Sequence, residues 1–124
     1  MSERVTNWVD GYRTAWLSND PDDIRALFTG DAVYEHLPND PEPDRGIEAI
    51  VEGWLEAADS PGDTTWEWHP LAEEADVATI QGRTVYAAES DEPGAVYDNL
   101  WVLTFAPDGR VRHFTEWYIE RDDA

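Results

Sequence analysis

Cysteine and lysine are both missing from these 124 residues. Without Cys there is no disulfide, no thiolate metal site and no thiol nucleophile. With no Lys, and only 8 basic residues against 28 acidic ones, the formal charge is −20. A basic groove for nucleic acid and a patch for an anionic membrane both need clustered cations, so neither partner is expected. Long apolar runs are lacking too. None approaches the ~20 residues of a membrane span, and the opening MSERVTNWVD has no signal-peptide pattern, so the expected location is cytoplasmic. There is no G-x-S-x-G, no GK[ST] and no G-x-G-x-x-G. His36, His69 and His113 share no short ligand spacing, and DPDD and ESDE lack the ligand order of a calcium loop, so no metal and no cofactor are expected.

What the chain does have is aromatic content: seven Trp, five Tyr and three Phe, set among Val, Ile and Leu at regular intervals. A disordered acidic tail cannot bury enough apolar surface to offset its conformational entropy, and such a tail does not carry this many rings. The reading is a folded domain with a solvated acidic coat, and the length suits one domain over residues 1–124. A surface rich in acids and free of Lys fits a protein kept soluble in concentrated salt, where ions screen self-repulsion. The alternative is a GC-rich genome that favours Arg over Lys.

Val5, Trp8, Val9, Tyr12, Ala15 and Trp16 recur at three- and four-residue intervals and predict an amphipathic first helix. Pro21 opens a second helix of about two turns, with Ile24, Leu27 and Phe28 as its stripe and Gly30 as its stop. DAVYEHL, residues 31–37, alternates like a strand, and the three Pro of PNDPEPDRG make the next stretch a loop. Ile47, Ile50, Val51, Trp54 and Ala58 predict a third helix ending at Ser60, Pro61 and Gly62. From Thr64 the period changes to two, and four runs, TTWEWHPL, ADVATIQGRTVYAAE, GAVYDNLWVLTFA and RVRHFTEWYIE, predict an antiparallel meander. The fold class is α+β, a curved antiparallel sheet wrapped around about three N-terminal helices. The first three and last four residues are the candidates for disorder.

The runs YRTAWLSNDPDDIRALFTGDAVYEHLP, GIEAIVEGW and GRVRHFTEWY resemble the SnoaL-like branch of the nuclear transport factor 2-like superfamily, which also contains ketosteroid isomerase, limonene epoxide hydrolase and scytalone dehydratase. The resemblance covers nearly the whole chain. It implies a conical α+β barrel with a pocket for a small hydrophobic organic ligand at its open end, and a homodimer built on the outer sheet face. It does not imply one activity, because this fold carries isomerases, cyclases, hydrolases, dehydratases and binding modules.

Against ketosteroid isomerase-like sequences, Tyr12 falls at the Tyr that donates to the substrate oxygen and His36 at the base. Trp101 replaces the protonated Asp, and an indole donates but does not titrate. Against limonene epoxide hydrolase-like sequences, Tyr34 and His36 fall at a Tyr and an Asn that hold water, Glu116 at the last-strand Asp and Arg83 at an Arg. The second Asp of that set aligns with Val85, which leaves the relay incomplete. Cyclase or isomerase chemistry through His36 and Glu116 is therefore preferred over epoxide opening.

Alternation puts Asn99, Trp101, Leu103 and Phe105 on one face of their strand, and Phe114, Glu116 and Tyr118 on one face of the last. With Trp16, Trp54 and Arg83, the candidate ligand contacts are Asn99, Trp101, Leu103, Phe114 and Tyr118. A buried Glu116 needs a partner, and Arg83 and His36 are the cations considered for it. The bland readings stay open: core tyrosines, packing tryptophans, a surface Arg, a structural ion pair, and a binding module without chemistry.

Overall fold

The computed structural model describes residues 3–56, 64–86 and 96–121. Helix α1, Glu3–Ser18, buries Val5, Trp8, Val9 and Ala15, the stripe expected from the spacing. Asn19 follows in the left-handed region at φ 51, where a short amide side chain is tolerated, and its N–H caps the carbonyl of Ala15 at 2.7 Å. Asp20 then caps α2, Pro21–Arg25, by accepting the Asp22 N–H at 2.9 Å, with Pro21 at the first helical position.

Helix α2 is shorter than its apolar stripe suggests. Phe28 opens strand β1, Phe28–Glu35, and Gly30 lies inside that strand rather than closing a helix. The reason is tertiary. The Leu27 carbonyl is taken by two distant donors, the Trp8 indole N–H and the Val111 backbone N–H, both at 2.8 Å, and Phe28 pairs with Val111. The Pro-rich loop contains a two-residue strand β2, Asp44–Arg45, before α3, Ile47–Glu56. The meander follows as β3, Thr64–Glu74, β4, Val77–Tyr86, β5, Val96–Phe105, and β6, Val111–Glu120. The expected end of the third helix, the turn ESDEPG, residues 1–2 and residues 122–124 lie outside the described residues; of the terminal residues expected to be disordered, Glu3 instead opens α1 and Arg121 pairs with Asp98 at 3.0 Å.

The six strands form one sheet in the order β2-β1-β6-β5-β4-β3. The α+β architecture is as expected, with two refinements. The curved sheet does not close, since β2 and β3 are its edges, and the β1–β6 pair is parallel while the others are antiparallel. The core lies between the helices and the inner sheet face. Phe28, Phe105, Phe114, Ile24, Ile80 and Leu103 are fully buried there, each contributing about 1.5–3 kcal/mol by leaving water.

Gly82 on β4 has a specific task. A Cβ there would lie 2.7 Å from Trp66 Nε1 and 2.9 Å from the Glu67 carbonyl oxygen. Only Gly lets the Trp66 ring lie across β4 and stack on Trp101, with centroids 5.0 Å apart. Among the described residues no helix is long and apolar enough to cross a membrane.

Candidate functional site

A cavity of about 250 Å³ opens between α1, α3 and the inner sheet face. Helix α1 supplies Tyr12 and Trp16, one turn apart, and α3 supplies Ile50, Gly53 and Trp54. The sheet supplies Tyr34, Trp66, Thr84, Tyr86, Asn99, Trp101 and Glu116, and the Pro-rich segment supplies His36 and Asp44. The Tyr12 ring sits 4.4 Å from Trp101 and 4.9 Å from Trp54, so aromatic surface makes up most of the apolar wall.

Three polar groupings face this space. His36 lies just past the end of β1, and its Nε2 is 2.8 Å from Asp44 Oδ2. Strand pairing makes that contact, because Asp44 is the register partner of Tyr34. An ionised Asp44 accepts the Nε2 proton and leaves the Nδ1 lone pair as the basic site. On β6, Glu116 Oε2 accepts a hydrogen bond from the Trp101 indole N–H, the two residues being register partners. Burial raises the Glu116 carboxyl above the usual range, although the Trp101 bond and nearby His36 oppose the shift, so it holds its proton more tightly than a free carboxyl does. Tyr34 is pushed well up by burial first and then by Tyr12 and Glu116, which keeps it a neutral donor.

The loop carrying His36 is tied down from outside. Glu35, the preceding residue, points to the outer face, where His113 Nε2 lies 2.5 Å and Thr115 Oγ1 3.1 Å from its Oε1. Its other oxygen accepts the Asp40 N–H at 3.2 Å, and Asp40 in turn accepts the His36 N–H at 3.0 Å. The outer pair is thereby connected through the loop to the imidazole inside.

Of the residues singled out from sequence, Tyr12, Trp16, Tyr34, His36, Trp54, Asn99, Trp101 and Glu116 all line the cavity. Arg83 does not. It stands on the outer face of β4, half exposed, with Nε 2.8 Å from Asp98 Oδ1, because alternation sends its neighbours Gly82 and Thr84 inward instead. Of the two cations considered for Glu116, Arg83 is therefore replaced by the Trp101 indole donor, while His36 lies near enough to act on its charge. Leu103 and Phe114 are fully buried beneath the cavity floor, and Phe114 stacks on Tyr34 at 4.4 Å. Tyr118 lines a second hollow beside the first. Sequence reasoning missed Thr84 and Tyr86, which the alternation that excludes Arg83 would have found. It also missed Asp44, whose loop has no period to read. Among the described residues, no group of three or more His, Asp and Glu converges as a metal site.

A family model described as "SnoaL-like domain" matches residues 9–114. A search of curated proteins finds no match. Among solved structures, the chain resembles SalBIII, an epoxide hydrolase/cyclase-like enzyme in pyran ring formation in polyether salinomycin. Its TM-score is 0.72 at 17% identity, over 94% of this chain and 91% of that one. A putative polyketide cyclase from Sinorhizobium meliloti gives 0.58 at 21% identity, over 90% and 94%. An NTF2-like protein of unknown function from Cytophaga hutchinsonii gives 0.69 at 12% identity, over 91% and 97%.

Proposed function

The chain belongs to the SnoaL-like domain family, and on that premise we propose that it catalyses proton transfer of the isomerase or cyclase type on a small, largely apolar molecule bearing a carbonyl, with acid and base both supplied by its own side chains. One observation carries the reading. A base oriented by a carboxylate and a carboxyl held toward its protonated form line the same cavity. A hydrogen-bonded imidazole and a carboxyl that burial makes harder to ionise are groups suited to take and give a proton within one site.

In the first step His36 Nδ1 takes a proton from the carbon next to the substrate carbonyl. The C–H electron pair moves into the enolate, and the negative charge arrives on the carbonyl oxygen. Glu116 in its protonated form and the Tyr34 hydroxyl donate to that oxygen, and their burial strengthens them as donors. Asp44 stabilises the imidazolium. In an isomerase the proton returns to a different carbon. In a cyclase the enolate carbon attacks a second carbonyl of the same molecule, and Glu116 protonates the new alkoxide.

Epoxide opening is the second reading, favoured by Asp44. It gives the cavity a second carboxylate, which the alignment with Val85 had left missing; His36 would then take a proton from an attacking water while Glu116 protonates the epoxide oxygen as its C–O bond breaks.

The test is exchange of the α-protons of 2-tetralone in D₂O, followed by NMR. The wild-type chain is expected to accelerate exchange above buffer, with His36→Ala and Glu116→Gln each lowering the rate by about 10²-fold or more. Full activity in both variants overturns the mechanism. Binding of 2-tetralone without exchange makes the chain a binding module, and diol formation from styrene oxide instead selects the second reading.

A further inference from the structure

The cavity does not end at Glu116. An open hollow of about 480 Å³ adjoins it, and Thr84, Tyr86, Asn99 and Glu116 line both. The hollow adds Tyr97 and Tyr118. Tyr86, Tyr97 and Tyr118 stand on adjacent strands β4, β5 and β6, with centroid separations of 5.9 Å and 6.0 Å at near edge-to-face angles. Alternation puts all three on the inner sheet face, the same face as Trp101. Trp101 is 3% exposed, whereas Tyr118 is 54% exposed. The inner face therefore runs out of the cavity as a shelf of phenol rings.

We propose that this shelf is a binding subsite for a sugar ring, carried by a ligand whose apolar body occupies the tryptophan-lined end. The inference rests on reading the cavity as a ligand site, and not on the proton transfer assigned to it. Continuity is the first argument, since four shared residues make the two spaces one path past Glu116. Chemistry is the second. Phenol faces pack against the C–H surface of a pyranose while their hydroxyls meet its hydroxyls. At the entrance the Thr84 hydroxyl donates to the Asn99 amide oxygen at 2.9 Å, and the oxygens of this pair can accept from sugar hydroxyls. Charge is the third argument. Among the described residues that line the hollow there is no Arg and no His, Glu116 lies at its junction with the cavity and Glu120 is next to Tyr97. A phosphate or carboxylate appendage would face acids and no cation, whereas a neutral sugar does not.

The experiment compares 2-naphthol with 2-naphthyl β-glucoside by titration calorimetry, on the wild-type chain and on the Tyr97→Ala/Tyr118→Ala double variant. The glucoside is expected to bind about tenfold more tightly than the naphthol, and the double variant to lose that advantage while binding 2-naphthol as before, which also shows that it folds. Equal affinities in the wild type, or equal weakening of both compounds in the variant, overturns the subsite and leaves the cavity reading in place. Binding of neither compound overturns both.

Discussion

Gly53 on α3 lies so close to Asp44 that a Cβ there would sit 2.5 Å from Oδ2, the same oxygen that holds His36 Nε2 at 2.8 Å. A glycine in a helix interior ordinarily costs about 1 kcal/mol relative to Ala. Here the missing side chain makes room for the carboxylate that orients the imidazole. Gly53→Ala is expected to displace Asp44, lower the proton-exchange rate by about tenfold or more, and shift the His36 ring resonances in an NMR spectrum. Its unfolding midpoint should not rise by the increment that a helical Gly→Ala change normally brings. A variant that is more stable and fully active would show that the contact relaxes without consequence.

Glu116 gives a pH dependence of definite sign. Its carboxyl is raised in the folded chain, chiefly by burial, so the folded state holds the proton more tightly than the unfolded state does. The stabilising contribution is complete below the unfolded carboxylate pKa and is lost as pH rises through the folded value. Glu116→Gln keeps an acceptor for the Trp101 indole and removes the titration. Urea midpoints of wild type and variant should lie close together near about pH 4, with the variant gaining ground as pH rises toward neutral. A gap that closes on raising the pH would contradict the assignment.

Glu35 works in the opposite direction. The His113 hydrogen bond, ahead of those from Thr115 and Asp40, lowers its carboxyl below the usual range. Its stabilising contribution is present above the unfolded carboxylate pKa and is lost as pH falls through the folded value. Glu35→Gln should unfold at lower urea than wild type near neutral pH, and the two should converge in acid. Because Glu35 also holds the Asp40 N–H, Glu35→Ala is expected to slow proton exchange several-fold through the His36 loop, with 2-tetralone binding preserved.

The period of the side chains was legible without coordinates. Spacing in α1 places Tyr12 and Trp16 on the buried stripe, and alternation in β5 and β6 puts Asn99, Trp101 and Glu116 on one face. It succeeds because helices and strands repeat their side-chain directions locally, and each apolar face must be covered. Alternation also argues against Arg83, which alignment alone drew toward the site. Where the local pattern and the alignment disagreed, the pleat of the strand won.

Residues whose position depends on a distant partner were not legible. The second helix gives up Phe28 to β1 because Trp8 and Val111 bind the Leu27 carbonyl. Asp44 sits among prolines with no period, and it reaches His36 only because β2 pairs with β1. The partner of Glu116 is likewise decided by register, which sets Trp101 opposite it while Arg83 turns outward to Asp98. The missing lysines and cysteines, the net charge of −20 and the two side-chain periods follow from the amino-acid sequence itself, because composition and local stereochemistry decide them. The meeting of His36 with Asp44, of Glu116 with Trp101 and of Tyr86, Tyr97 and Tyr118 along one face required the folded sheet, because hydrogen-bond register between distant strands determines which side chains meet.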